Sequence, residues 1–399
     1  MKTYFTTVIV LLLCIKTINA QEANAPKFGK GLFDLKGKDN SWSMNMSARM
    51  QFLGTSTWNS RGSGLSDQET SMLVRRARLK FSGFAFSPKL KYKIELGLSN
   101  RDISGASVYT SNAPRYILDA VLKWNFHENF VLWVGQTKLP GNRERVVSSA
   151  NMQLVDRSLL NSRFNIDRDM GVQLRHHFNV SENFIIKEAF SIAQGEGRNI
   201  TTGNLGGLQY TTRIEMLPFG NFTSKGDYSG GDLKREENLK WALGASYDFN
   251  NNAVKNRSNQ GSYMANDTGF YQTNISTLFV DTMLKYKGFS FMGEYAYRNA
   301  ADPLAKNSDN SLTGDKVVTG NSLNLMSGYL FKNNWEFSGR YTNVTYDQFL
   351  GKGAENQYTL GLSKYIAGHK LKIQSDISYL DVVNKTNKLM YRLQVDIHF

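Results

Sequence analysis

Three cations stand at alternate positions in the run Arg75-Arg76-Ala77-Arg78-Leu79-Lys80-Phe81, namely Arg76, Arg78 and Lys80. In an extended chain successive side chains point to opposite faces, so these three share one face. Like charges in such a row repel, and the arrangement makes sense beside anions or a facing acidic loop. Arg49, Arg213 and Arg340 occupy the same polar phase of other alternating segments, as do Lys91, Lys93, Lys370, Lys372 and Arg392. A second concentration runs from Lys138 through Arg143, Arg145, Arg157 and Arg163, with Ser148 and Ser149 among them. Guanidinium groups with hydroxyls suit an oxyanion, through charge-assisted hydrogen bonds. Arg143-Glu144-Arg145 equally suits an internal salt bridge that pins a loop to a wall. Acids share the polar phase: Glu95, Asp119, Glu215, Asp248, Asp281, Glu294, Glu336, Asp376 and Asp396. Part of the positive charge is therefore expected to be paired.

Strands are needed to hold such a row. Residues 388–399 alternate strictly, with Leu389, Tyr391, Leu393, Val395, Ile397 and Phe399 apolar and mostly polar residues between them. The same period of two recurs at 42–52, 74–86, 90–98, 116–126, 130–138, 170–178, 184–192, 208–216, 239–249, 278–286, 289–297, 323–331, 335–341, 358–362 and 371–379. Short connections at 87–89, 127–129, 179–183, 287–288, 332–334 and 367–368 alternate with long polar ones at 54–72, 99–115, 139–163, 194–207, 250–275, 299–320, 344–356 and 380–387. The stretch 217–238 breaks this rhythm, being long where a short turn is due. Aromatics such as Trp42, Trp124, Phe126, Tyr247, Phe249, Tyr286, Trp335 and Phe399 gather toward segment ends, as interfacial girdles do. The expectation is an all-β chain: a transmembrane antiparallel β-barrel of about sixteen strands, with short periplasmic turns and long extracellular loops. A soluble β-sandwich would need a second sheet to cover every apolar face.

Composition agrees with that architecture. The chain has 399 residues, only six prolines and a net charge of +14. Its mean hydropathy of −0.41 fits a barrel, because only alternate residues meet lipid. Residues 1–20 resemble a secretory leader, with Lys2, an apolar stretch over 5–13 and Ile18-Asn19-Ala20 before the cleavage point. Residues 21–40 then form a periplasmic N-terminal segment and 41–399 the barrel, with 139–163 as candidate constriction loop. The single cysteine, Cys14, leaves with the leader, which excludes disulfide and thiolate chemistry. A basic balance points to nucleic acid, anionic headgroups or small anions, and secretion argues against nucleic acid.

Several segments together resemble the phosphate-selective porin O/P family. They are Asp39-Asn40, Arg49-Met50-Gln51, Arg75-Arg76-Ala77-Arg78-Leu79, and Gly135-Gln136-x-Lys138-x-Pro140 with Glu144, Ser148 and Ser149. Asp156-Arg157-Ser158, Arg168-Asp169-x-Gly171-Val172, Arg213 before Pro218-Phe219-Gly220, Trp335-Glu336 with Arg340-Tyr341, and Leu360-Gly361-Leu362 through Gly368-His369-x-Leu371-Lys372 follow in order. The resemblance implies a sixteen-stranded, homotrimeric, anion-preferring porin whose third loop folds into the lumen. It also implies a ladder of lumen arginines with a lysine at the constriction, and Arg76, Arg78 and Lys138 fall on matching positions.

Covalent chemistry finds no support. The chain has no HExxH, no P-loop and no GxSxG. His176-His177 on a strand would point to opposite faces, which disfavours a shared metal. The carboxylates between 309 and 315 read as a solvated loop. The expectation is therefore no enzyme, no metal and no cofactor. The leading reading is passive diffusion of small anions, phosphate among them, through a basic lumen set in outer-membrane lipid. The alternative is a structural or surface-interaction barrel whose lumen is plugged.

Overall fold

The computed structural model describes residues 26–61, 64–103 and 105–399. The leader expected over 1–20 lies outside them. Sixteen antiparallel strands form the wall: β1 (Trp42–Arg61), β2 (Gly64–Ala85), β3 (Ser87–Gly97), β4 (Ile117–His127), β5 (Phe130–Lys138), β6 (Arg168–Asn179), β7 (Ile185–Ala193) and β8 (Gln209–Leu217) come first. They are followed by β9 (Lys240–Ala253), β10 (Thr273–Tyr286), β11 (Phe289–Ala300), β12 (Gly320–Leu330), β13 (Trp335–Tyr346), β14 (Glu355–Tyr365), β15 (Leu371–Val382) and β16 (Asn387–His398). Each strand pairs with its chain neighbours, and β16 closes on β1 from Arg49 opposite His398 to Ser60 opposite Asn387. Closure leaves no open edge in hydrocarbon, where each orphan N–H or C=O would cost several kcal/mol.

The period of two is what makes closure work. Along β13, Trp335 and Phe337 face outward while Glu336, Ser338 and Arg340 are buried inside. Leu360 and Leu362 of β14 face outward in the same way, against buried Thr359 and Ser363. A short strand, Phe33–Lys36, pairs with the start of β1 beneath the end of β16. Phe399 donates its N–H to the Ala48 carbonyl at 2.9 Å, and the Phe28 ring stands edge-on to it at 6.0 Å.

Three connections depart from expectation. The stretch 54–72 is mostly strand, because β1 and β2 run on to 20 and 22 residues as a projecting hairpin. Its polar residues, such as Asn59, Gln68 and Glu69, meet water on both faces, so no apolar alternation marks it. The stretch 250–275 carries a further strand, Lys255–Tyr263, and 299–320 folds as a hairpin of Leu304–Lys306 with Leu312–Lys316. The periplasmic connection after β8 is long because it turns into the barrel. Its Phe222 is buried with Leu217, Ile185, Met283 and Met292 of the wall and with Leu154 of the third loop.

The third loop also lies inside. It carries α1 (Arg143–Val146) and α2 (Leu159–Phe164), with Ser158 capping α2 by accepting from the Asn161 N–H at 3.2 Å. Leu160, Phe164 and Ile166 pack against inward-facing Phe279, Ala296 and Val344. Apolar residues on the lumen side of β10, β11 and β13 thus form a second, internal core that holds the loop.

Candidate functional site

The inserted loop divides the lumen into a filled side and an open side. On the filled side, Arg143 is fully buried and donates to Asp281 at 2.6 Å and Glu215 at 3.3 Å. Arg213 joins the same acids, at 2.7 Å to each. Two guanidiniums and two carboxylates make a neutral cluster between loop and wall. Arg143 also donates to the Asp227 carbonyl at 3.0 Å, and the Gly230 N–H donates to Asn151 O at 2.6 Å. The periplasmic segment and the third loop are therefore bonded to each other inside the barrel. Farther round, Gln153 donates to Glu336 at 2.8 Å, and Arg392 pairs with Asp376 at 2.6 Å and Asp156 at 3.0 Å. Arg49 is held by Asp396 at 2.7 Å and by the Ser149 hydroxyl at 2.7 Å. Arg340 donates to the Asp156 carbonyl at 2.7 Å and stands 3.6 Å from Glu144.

On the open side, along β2 to β8, two cavities of 170 and 760 Å³ meet. Arg78, Lys138, Ser149 and Arg168 line both, and mark a waist between them. The smaller, extracellular cavity is lined by eight cations and two carboxylates, Asp102 and Asp167. Six of its cations fall into two groups. Arg78 is paired with Asp102 at 2.6 Å and Glu95 at 3.0 Å, Arg168 with Asp119 at 3.2 Å, and Arg145 with Asp167. Arg76, Lys138 and Arg157 hydrogen-bond only to neutral oxygens among the described residues. Arg76 donates to the Gln51 side chain. Lys138 donates to the carbonyls of Arg145, Val146 and Val147 at 2.7, 3.2 and 3.3 Å, at the C-terminal end of α1. Arg157 donates to the carbonyls of Glu144 and Val147, both at 2.8 Å.

Local structure explains how these side chains arrive. Gly135 takes a φ of 127°, and a Cβ there would lie 2.2 Å from the Ala120 carbonyl oxygen. The kink buries Gln136 and Thr137 together and brings Lys138 to the loop. Glu144 accepts from the Ser158 N–H at 3.1 Å and hydroxyl at 2.5 Å, which folds the loop back on itself and sets Arg157.

The cations of the loop are under electrostatic pressure. Burial, with Arg78 and Arg168 adding to it against Glu144, lowers the Arg157 guanidinium to about 10. Burial and the neighbouring Arg157 and Arg168 hold Arg145 well below its ordinary range. Asp156 is the converse: burial would raise it, but Arg392 and Arg75 outweigh burial and hold it at about 2. Arginine does not give up its proton in proteins, so pressure on it is relieved by an anion. One charge pair at 4 Å is worth roughly 4 kcal/mol at an effective dielectric of 20, before desolvation.

The expected site residues therefore separate. Arg76, Arg78, Lys138, Arg145 and Arg157 converge on the smaller cavity. Arg143, Arg49 and Arg340 are engaged on the filled side, and Arg213, held by Asp281 and Glu215, borders the larger cavity. Lys80 lies toward the periplasm, on a 480 Å³ recess with Lys91, Lys93 and Lys123. Four further arginines reach the lumen without an alternating phase to place them there. Arg75 reaches Asp156 at 2.5 Å because a bulge opposite Gln51 and Phe52 turns it inward beside Arg76. Arg101 and Arg198 come from long loops with no periodicity, and Arg168 opens β6.

Comparison with known proteins follows the same direction. The family described as phosphate-selective porin O and P matches residues 59–395. An uncharacterized protein of Aquifex aeolicus (strain VF5) is 23% identical over 358 residues, covering 82% of this chain and 80% of its own length. Among solved structures, the outer membrane channel DcaP of Acinetobacter baumannii is similar with a TM-score of 0.55 at 12% identity, covering 92% of this chain and 99% of the other. An anion-selective porin from Comamonas acidovorans gives 0.54 at 12% identity, covering 90% and 100%. At these identities the structural likeness speaks for the fold.

Proposed function

The chain belongs to the phosphate-selective porin O and P family, and from that premise we propose that it forms an anion-preferring channel. Its place is the bacterial outer membrane, where the barrel provides a water-filled route. The finer reading concerns what passes. Small anions, phosphate among them, are drawn to the waist and cross by passive diffusion. The observation that carries this reading is the trio Arg76, Lys138 and Arg157, which hydrogen-bond to neutral oxygens and form no ion pair among the described residues. A low-dielectric passage lined with uncancelled cations concentrates anions and slows cations. Arg78 and Arg168 beside it are paired, yet each keeps donors for an oxyanion in transit.

The test is the reversal potential of the purified protein in planar bilayers under a KCl gradient, followed by titration of phosphate. An anion-selective current that phosphate blocks supports the reading. Replacing Arg76, Arg78 and Lys138 by Glu should reverse the preference. Unchanged selectivity in that variant would remove the assignment to these residues and leave the channel.

A second reading has one observation in its favour. The third loop and the periplasmic segment are bonded across the lumen and leave a narrow passage. A folded barrel that carries no current would make this a structural or surface-interaction barrel. Assembly as a homotrimer is part of the proposal, since a trimer form is described for OmpT of Vibrio cholerae, a similar structure with a TM-score of 0.51. Chemical crosslinking in native membranes tests it.

A further inference from the structure

Below the waist the passage changes character. Trp133 of β5 faces the larger cavity, in the inward phase with Val131. The Lys123 ammonium lies 3.6 Å from the centroid of its ring, and the Arg175 guanidinium carbon 4.1 Å. The register explains both contacts. Lys123 is directly across from Trp133 on β4, and Arg175 on β6 is opposite Val131, one diagonal step away.

A cation over an aromatic face is held in place without being neutralised, which a carboxylate would do. Among the described residues Lys123 and Arg175 form no ion pair. Arg175 donates instead to the Gln173 side-chain oxygen, at 2.8 and 3.2 Å. The periplasmic segment adds Phe222 and Tyr228 to the same cavity. The waist offers dense donors and little apolar wall beyond Leu118, which suits a small inorganic oxyanion. The cavity below also holds carboxylates, of which Glu95, Asp119, Glu215 and Asp227 are each paired with a cation, while Lys123 and Arg175 stand beside aromatic and aliphatic surface. Its 760 Å³ lies within the range of organic ligand sites.

We propose that this cavity is a selectivity site for organic anions with a flat apolar body, of which an aromatic carboxylate is the simplest. The carboxylate meets Lys123 and Arg175, and the body lies along Val131, Phe222 and the rim of the Trp133 indole. The proposal rests on the reading of the chain as an anion-preferring channel and adds the class of anion to it.

The test compares block of single-channel chloride current by benzoate, acetate and inorganic phosphate, added to each side in turn. Benzoate and acetate carry the same charge, so a difference between them reports the apolar body. Benzoate is expected to block at a concentration about tenfold below acetate. Trp133→Gln should remove most of that difference and leave the phosphate block in place. Lys123→Met keeps the aliphatic stem and should weaken both carboxylates alike. Equal block by benzoate and acetate in the unaltered protein would overturn the proposal. So would an unchanged ratio in Trp133→Gln or an unchanged benzoate block in Lys123→Met. A cation-selective reversal potential in the unaltered protein would instead overturn the underlying channel reading.

Discussion

Arg143 and Arg157 belong to the same inserted loop, yet one meets two carboxylates and the other only main-chain carbonyls. Sequence could not separate them, because what distinguishes them is the partner across the lumen. Arg143→Ala would strand Asp281 and Glu215 beside Arg213 alone, and breaking a buried pair in this way costs about 3–5 kcal/mol. The expected outcome is a lower urea midpoint in detergent and a noisier current as the loop loosens. Arg157→Gln should leave the midpoint close to the original and lower the anion preference. His369 gives a pH dependence. It sits in the periplasmic turn between β14 and β15, with its ring edge-on to Tyr365. Lys372 donates to its Nδ1 at 3.4 Å, so Nε2–H donates to Ser229 Oγ at 2.9 Å and Gly230 O at 3.1 Å. Burial, with Lys372 adding to it, holds this ring well below its ordinary value of 6.5. Below that pH the unfolded chain binds a proton that the folded chain refuses. Stability therefore falls with acidification, by up to about 1.4 kcal/mol per pH unit, until the folded value is passed. Urea midpoints at pH 7.5 and 5.5 should differ more in the native protein than in His369→Asn. Equal slopes would show that the ring is not the titrating group.

The elements were legible in sequence wherever one face meets lipid and the other water. That contrast marks most of the wall strands, and residues such as Tyr391, Leu393 and Val395 against Arg392, Gln394 and Asp396 carry it, while β7 shows it least because Lys187 and Glu188 put a charge on either face. It fails where both faces meet the same medium, as in the projecting part of β1 and β2. It also fails where a segment is buried inside the lumen, as in the connection after β8. That connection was visible only as an anomaly of length, since Phe222 among polar neighbours announces no partner. The internal core is held by glycines as much as by large residues. A Cβ at Gly361 would lie 2.3 Å from Leu154 Cδ2, and one at Gly328 would lie 2.1 Å from Gln153 Nε2. Gly361→Val should therefore press the third loop away from β14, toward the open side, and narrow the passage. Phe164→Ala acts from the other end, leaving a cavity among Phe279, Ala296 and Val344 at a cost of about 3–5 kcal/mol. Gly361→Val should lower single-channel conductance and Phe164→Ala should raise it. Conductance unchanged in both would mean that the loop is not what limits the flow.

At the scale of the whole molecule the net charge of +14 is a poor guide to selectivity, because much lumen charge is held in pairs such as Arg143–Asp281, Arg213–Glu215 and Arg392–Asp376. Part of what remains lines the smaller cavity, where six more cations than carboxylates line the wall (eight against two), and part, such as Lys123 and Arg175, lines the larger one. The sequence placed part of that cluster through the alternation of β2 and the Gly-Gln-x-Lys stretch. Arg101 and Arg198 were beyond reach, because long loops carry no phase. The origin of selectivity in an unbalanced field makes a prediction that a size filter does not share. Mobile ions screen a field over about 10 Å at 0.1 M salt and about 3 Å at 1 M. The anion preference, measured at a fixed concentration ratio across the bilayer, should therefore fall as both concentrations rise. Fully dehydrated binding at the waist would resist that decline, since ions held in direct contact with Lys138 and Arg157 are not screened by bulk salt. The expected result is a preference that declines from 0.01 to 1 M but levels off above zero, the residue being the part due to contact. A preference independent of salt would assign selectivity to contact or to pore shape and leave the long-range field no share, and one that vanishes at high salt would assign it to the field and leave contact with Arg76, Lys138 and Arg157 no share.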